Sequence, residues 1–438
     1  MKGYIGLLFL LVIVVSARAQ YYEQCLTVSG FADDPDSGHG FNYKSTIRSN
    51  STKEFVMVGD AKLFRLSKEG IKLWEKTVTE NIGDYAIDKT GNVLAIHNNS
   101  TRLIKYNSNG TLAWEKTYAS QFVGRITTDD SDNVYVSGYD NNTAGLLLIK
   151  YSSNGTLAWQ KTIAGGNGNT LVASGSGDVY VIGNDYNNGG FMLIKYSSNG
   201  TLQWQSAINN TIPARELKLG PDNNLYCFLY DNFTTIIYKV STSTGNTIVN
   251  TVLSYGNTVS QFGPGNSIFV LGALGNGRHS IYKVNSNFSG GVFRDLITFQ
   301  YRTFDYKSIE VEADGTVTAN MIYESNDRAS IFYRMNSSAV DIDDYLTFES
   351  PNTGLVIDYQ GSYILPTDYD CVKRITPCGK IPFTISSQPA NTTVCPGADA
   401  QFSFGVNGTG VLYQWKKGAT VLTNNSKYSG VNTATLTV

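Results

Sequence analysis

The sequence predicts an all-β fold, a β-propeller built from four-stranded blades. Three observations predict it. A hairpin segment with a tryptophan recurs about every 40 to 45 residues, at Trp74, Trp114, Trp159 and Trp204. A second alternating strand precedes each hairpin behind a polar turn. No long stretch carries helical periodicity.

The hairpin is clearest in residues 103–117 (LIKYNSNGTLAWEKT), 148–162 (LIKYSSNGTLAWQKT) and 193–207 (LIKYSSNGTLQWQSA), with a looser copy in 63–77. Before the turn, Leu147, Ile149 and Tyr151 alternate with Leu148 and Lys150. Asn154-Gly155 then supplies the residues that accept positive φ in a tight two-residue turn. Beyond it, Leu157 and Trp159 are expected on one face, with Ala158 and Gln160 on the other. The preceding strands include Val134-Tyr135-Val136 and Val179-Tyr180-Val181, and a further short strand such as Arg125–Thr128 lies upstream. One unit is therefore four short strands.

Later copies lose the tryptophan but keep the frame. Leu63, Leu103, Leu148, Leu193, Ile237, Ile281, Ile331 and Cys371 open eight successive hairpins. Eight blades are expected, or seven if the divergent ends merge. A sheet with two apolar faces buries both only by stacking against neighbours on either side. Trp74, Trp114, Trp159 and Trp204 are accordingly expected as blade-packing residues, each removing up to about 150–250 Å² from water. The competing reading is a row of stacking platforms for sugar rings.

These units resemble the PQQ-like and related bacterial β-propeller repeats, most closely at residues 107–114, 152–159 and 197–204, and the likeness spans roughly residues 41–383. Quinoprotein dehydrogenases of that broader group bind pyrroloquinoline quinone and Ca²⁺. The chain lacks their adjacent cysteine pair, so their activity is not expected to carry over.

The pattern changes at residue 384. Val394-Cys395-Pro396-Gly397, Gln401–Phe404 and Tyr413-Gln414-Trp415-Lys416 resemble an immunoglobulin-like repeat of the kind appended to secreted proteins of Bacteroidota. The resemblance makes Trp415 the buried core tryptophan of a partial sandwich. The expected organisation is a signal peptide at 1–19, a propeller at 20–383 and a partial immunoglobulin-like domain at 384–438.

Lys2, the apolar run Leu7–Val15 and the small residues Ala17 and Ala19 read as a cleaved secretory signal, which predicts a secreted or cell-surface protein. No later segment has the length of a membrane span, so no membrane insertion of the mature chain is expected. The 34 basic and 36 acidic residues nearly cancel and form no basic stripe, which argues against nucleic acid as a partner.

Five cysteines leave one unmatched. Cys227 falls at a repeat position held by Ala95, Val136 and Val181, which makes it a core residue. Cys371 and Cys378 flank one hairpin and are candidates for a disulfide, or Cys25 pairs with one of them. His39, His97 and His279 are scattered, and no HExxH, P-loop or nucleophile-elbow motif is present. Asp33-Asp34-Pro35-Asp36 and Asp341-Ile342-Asp343-Asp344 are the places where Ca²⁺ would bind, although solvated loops are the simpler reading. No catalytic, cofactor or metal residue is assigned. Two functions fit. One is non-enzymatic binding or adhesion to an extracellular glycan or protein. The other is an extracellular polysaccharide hydrolase or lyase with its acid and base at the propeller axis.

Overall fold

The structure is a computed structural model. It describes residues 21–27, 46–49 and most of 54–438; the longest later stretches outside it are 297–303, 339–345, 349–355, 378–383 and 408–414. The signal segment, both acidic clusters and the Cys378 side of the disulfide pair lie outside the described residues, as do the side chains of Cys25 and Cys371.

Among the described residues, eight four-stranded sheets follow one another, as in a β-propeller. Seven are simple meanders in chain order. The third consists of Gln121–Thr128, Val134–Asp140, Gly145–Tyr151 and Leu157–Ala164. The fourth consists of Gly166–Ala173, Val179–Asp185, Phe191–Tyr196 and Leu202–Ile208. The fifth consists of Ala214–Leu219, Leu225–Tyr230, Thr235–Val240 and Thr247–Leu253. The eighth differs: the early strand Tyr21–Thr27 lies beside Cys371–Pro377, followed by Tyr363–Pro366 and Val356–Ile357.

Alternation explains the stacking. On the third strand of the third sheet, Leu147 and Ile149 join a core with Leu94, Ile96 and Leu103 of the sheet before. Leu146 and Leu148, pointing the other way, join Val179, Val181 and Ile194 of the sheet after. Every residue of Gly145–Tyr151 is consequently buried, as expected of a strand packed on both faces. The same two-sided packing joins the fourth sheet to the fifth through Leu193, Leu225 and Cys227. Cys227 is buried in that core, and burial pushes its thiol up to about 12.

The hairpins differ from expectation in two ways. The turn is longer than a two-residue one: Gly155 donates its N–H to Ser152 O and Ser152 donates to Thr156 O. Only Gly155, at φ +84°, takes the left-handed conformation, which makes this a type I turn closed by a glycine bulge. The register then slips, with Tyr151 opposite Leu157 but Lys150 opposite Trp159. The extra residue breaks the predicted alternation, leaving Leu157 54% exposed while Trp159 is half-buried.

The chain divides into two compact units, and the second contains Gln360–Tyr363 and Arg374–Val438. Its C-terminal part holds short strand pairs, Thr384–Ser387 with Gly405–Asn407 and Gln401–Ser403 with Thr435–Thr437. Trp415 is fully buried there among Phe404, Leu422, Val431 and Leu436, and its indole N–H donates to Thr433 O at 2.9 Å. No described helix is long and apolar enough to cross a membrane.

Candidate functional site

The two ends of each sheet are built differently. At the end that carries the hairpin turns, the repeat supplies a fixed set of bonds between neighbouring sheets. Trp74 donates its indole N–H to Ser108 O at 2.9 Å, Trp114 to Ser153 O at 3.1 Å, Trp159 to Ser198 O at 3.1 Å and Trp204 to Thr242 O at 3.0 Å. Each accepting carbonyl lies in the turn of the following sheet. A lysine two positions before each turn joins in: Lys105 donates to Ser153 O at 3.2 Å, Lys150 to Ser198 O at 2.9 Å and Lys195 to Thr242 O at 3.3 Å.

Two of these lysines also pair with an acid behind them, Lys105 with Asp88 at 2.8 Å and Lys195 with Asp178 at 2.9 Å, and Lys239, at the same position in the fifth sheet, pairs with Asp222 at 2.8 Å. The ammonium of Lys150 sits 4.9 Å from the Tyr135 ring centre instead, a cation–π contact. The sequence showed these lysines as alternating strand residues, and nothing local marked them as buried. This end is saturated with partners that hold the sheets together.

The opposite end carries the loops in which the repeats diverge, and a cavity of about 820 Å³ opens there across the third, fourth and fifth sheets. The size falls within the roughly 300–1,000 Å³ usual for small-ligand sites. Its walls include Arg125 and Arg215, Asn167, Asn169 and Asn184, and the rings of Tyr139, Tyr186 and Phe191. Tyr186 is 60% exposed, so its ring is open to a ligand.

A bulge near the start of each first strand builds this wall. In the third sheet Gly124 is the residue without a partner in the register, in the fourth Asn169, and in the fifth Arg215. All three line the cavity. A bulge re-aims one side chain while the ladder continues on both sides, so one structural position carries glycine, asparagine and arginine in consecutive sheets. Sequence reasoning missed these residues. The available signal was the divergence of the loops Tyr139–Ala144 and Asp185–Gly190 from their otherwise similar repeats.

The carboxylates next to the wall turn into their own loops. Asp140 accepts from the Asn142 N–H at 3.1 Å. Asp185 accepts from the N–H groups of Asn187 and Asn188 at 3.1 Å and from the Asn188 amide at 3.0 Å. These bonds, led by that amide, hold the Asp185 carboxyl below its ordinary range. Elsewhere on the first strands Glu216 is engaged by Lys218 at 3.0 Å and by the Ser260 hydroxyl at 2.8 Å, and Asp84 by Arg48 at 2.8 Å. Among the described residues no cluster of three or more His, Cys, Asp or Glu side chains has metal-binding geometry.

A family model described as outer membrane protein assembly factor BamB, a PQQ-like repeat family, matches residues 59–247. No curated relative matches the sequence. Among solved structures, the Dos1 propeller aligns with a TM-score of 0.55 at 9% identity, covering 75% of this chain and 90% of that one. That similarity shows the β-propeller fold. A virginiamycin B lyase from Staphylococcus aureus aligns at TM-score 0.45 and 12% identity, over 82% of this chain and 99% of that one. The WD40 β-propeller domain of Doa1 aligns at TM-score 0.42 and 12% identity, over 68% and 93%.

Proposed function

We propose that this chain is a secreted or cell-surface binding protein, an eight-bladed propeller that holds an extracellular ligand without transforming it. The cavity across the third to fifth sheets is the observation that carries the reading. It offers open aromatic surface, amides and two guanidiniums, and it has no carboxylate pair in its wall. The division of labour between the two ends supports it: one end is spent on bonds between sheets, which leaves the other free to vary. The placement of Thr46–Ser49 against Val356–Ile357 supports eight blades meeting end to end. The buried Trp415 supports an immunoglobulin-like module after residue 384, a spacer of the kind adhesins use.

The test is a glycan and protein array probed with the full chain, followed by titration of the hits against a Tyr186→Ala variant. Saturable binding that Tyr186→Ala weakens is expected. An array without hits would sink the reading.

One observation favours the enzymatic alternative. The Ser260 hydroxyl accepts from Lys218 Nζ at 3.1 Å and donates to Glu216 at 2.8 Å, so a hydroxyl, an amine and a carboxylate meet on neighbouring first strands. Polysaccharide turnover abolished by both Ser260→Ala and Glu216→Gln would establish that reading in place of simple binding.

A further inference from the structure

We infer that the ligand of this cavity is an oligosaccharide carrying negative charge, held through a carboxylate or sulfate by Arg125 and Arg215. The inference rests on the reading of the cavity as a binding site and goes on to name its ligand class.

Charge comes first. Arg215 is the bulged residue of its strand, and Arg125 directly follows the bulged Gly124 of its own. Both side chains are exposed in the cavity wall. Among the described residues neither guanidinium has an ion-pair partner; Arg125 makes one bond, to the neighbouring Gly124 O at 3.1 Å. Of the acids adjoining the wall, Asp140 and Asp185 are taken up by their own loops and Glu216 by Lys218 and the Ser260 hydroxyl. Both arginines act on one place: each opposes the upward push that burial, then Glu216, gives the Tyr230 phenol. Two guanidiniums without ion-pair partners in the wall of one cavity suit an anion, and each can hold a carboxylate or sulfate through two parallel N–H groups.

The remaining wall selects the carrier of that anion. Asn167, Asn169 and Asn184 each present a donor and an acceptor, the pairing that vicinal hydroxyls need. Asn169 donates to Asn184 Oδ1 at 3.0 Å, which fixes the orientation of both amides. The open Tyr186 ring offers a flat apolar face for the C–H surface of a sugar. An acidic peptide would satisfy the arginines but supply no run of hydroxyls for three amides.

The test is calorimetric titration of the full chain with five probes: oligogalacturonate, its methyl ester, a chondroitin sulfate oligosaccharide, a neutral cello-oligosaccharide and oligoglutamate. Oligogalacturonate or the sulfated probe is expected to bind best, and the stronger of the two names the anion. Methyl esterification, Arg125→Gln and Arg215→Gln should each weaken binding by about tenfold or more. Thermal melting should be unchanged in both variants, because the side chains are exposed. Tyr186→Ala should weaken binding without altering the preference for charge. Neutral and acidic sugars binding equally, with no effect of either Arg→Gln change, would overturn the inference and leave the glycan site standing. Oligoglutamate binding more tightly than any sugar would overturn the ligand class. Failure of every probe, together with an empty array, would remove the underlying reading as well.

Discussion

The indole N–H of Trp159 reaches out of its own sheet and donates to the backbone carbonyl of Ser198, 3.1 Å away in the hairpin turn of the next. The ring itself lies over Gly200 of that turn. The same relation links Trp74, Trp114 and Trp204 to their successors. The last hairpin of each of the second to fifth sheets is thus held by the sheet before it.

Replacing Trp159 by alanine removes both the packed ring and the bond. The ring is half-buried, so the loss should fall at the lower end of the range for large aromatic truncations, about 3 kcal/mol. Trp159→Phe keeps much of the surface and loses the N–H, for about 1 kcal/mol. Urea unfolding midpoints of the three proteins, with unchanged slopes, check the order.

The receiving glycine is equally constrained. Gly200 has φ +82°, and a methyl group added there would stand 2.8 Å from Cγ of Trp159. Gly200→Ala combines backbone strain with displacement of the indole, and about 2–3 kcal/mol of destabilisation is expected. Shifted indole fluorescence in the folded variant would report the displacement separately from the strain.

Lys105 and Asp88 form a pair with both side chains almost wholly buried. Asp88→Asn leaves an ammonium in the interior without its counter-charge, which should cost about 3–5 kcal/mol. Adding Lys105→Met should recover a substantial part of that loss. A double-mutant cycle measures the coupling, and additive effects would contradict it.

Asp222 provides a pH signature. Burial alone would raise its carboxyl, but bonds from Lys239, Asn224 and Tyr226 outweigh that and hold it below its ordinary value. A carboxyl depressed in the folded state contributes stability that is fully present above its unfolded pKa, about 3.9, and lost as pH falls through the folded value. The stability gap between the parent and Asp222→Asn should therefore narrow on acidification below about pH 4. A gap that stays constant into acid would contradict the assignment.

Cys227 should be inert in the folded chain. Its thiol is pushed up to about 12 by burial, so almost no thiolate exists at neutral pH. Peptide mapping after iodoacetamide treatment should find residue 227 unmodified in the native protein and alkylated only after denaturation.

How much of this was legible in the sequence depends on whether a feature repeats. The tryptophan spacing, the alternating strands and the position of Cys227 recur in register, so the periodicity of the sequence exposes them. The hairpin bulge that parts Leu157 from Trp159 was hidden, because two exposed residues in a row read like ordinary alternation with one weak position. The burial of Lys105 was hidden for a related reason: its partner Asp88 sits in an earlier turn of the same sheet, and lysine in a strand looks solvent-facing. The cavity was the least legible feature. Its defining residues, Asn169 and Arg215, share a structural position but no chemistry, and Arg125 stands one residue past that position in its own strand. Self-similarity, which marks the fold, carries no trace of differences of this kind.

The sheet that joins Tyr21–Thr27 to Cys371–Pro377 has a consequence for biogenesis. The strand synthesised first waits for one synthesised hundreds of residues later, so a nascent chain carries that strand unpaired until both are present. Interrupted synthesis before residue 371 leaves that edge open to proteases and chaperones, while a chain that has reached residue 377 can hide it. Formation of the eighth sheet thereby depends on the chain having been made through residue 377.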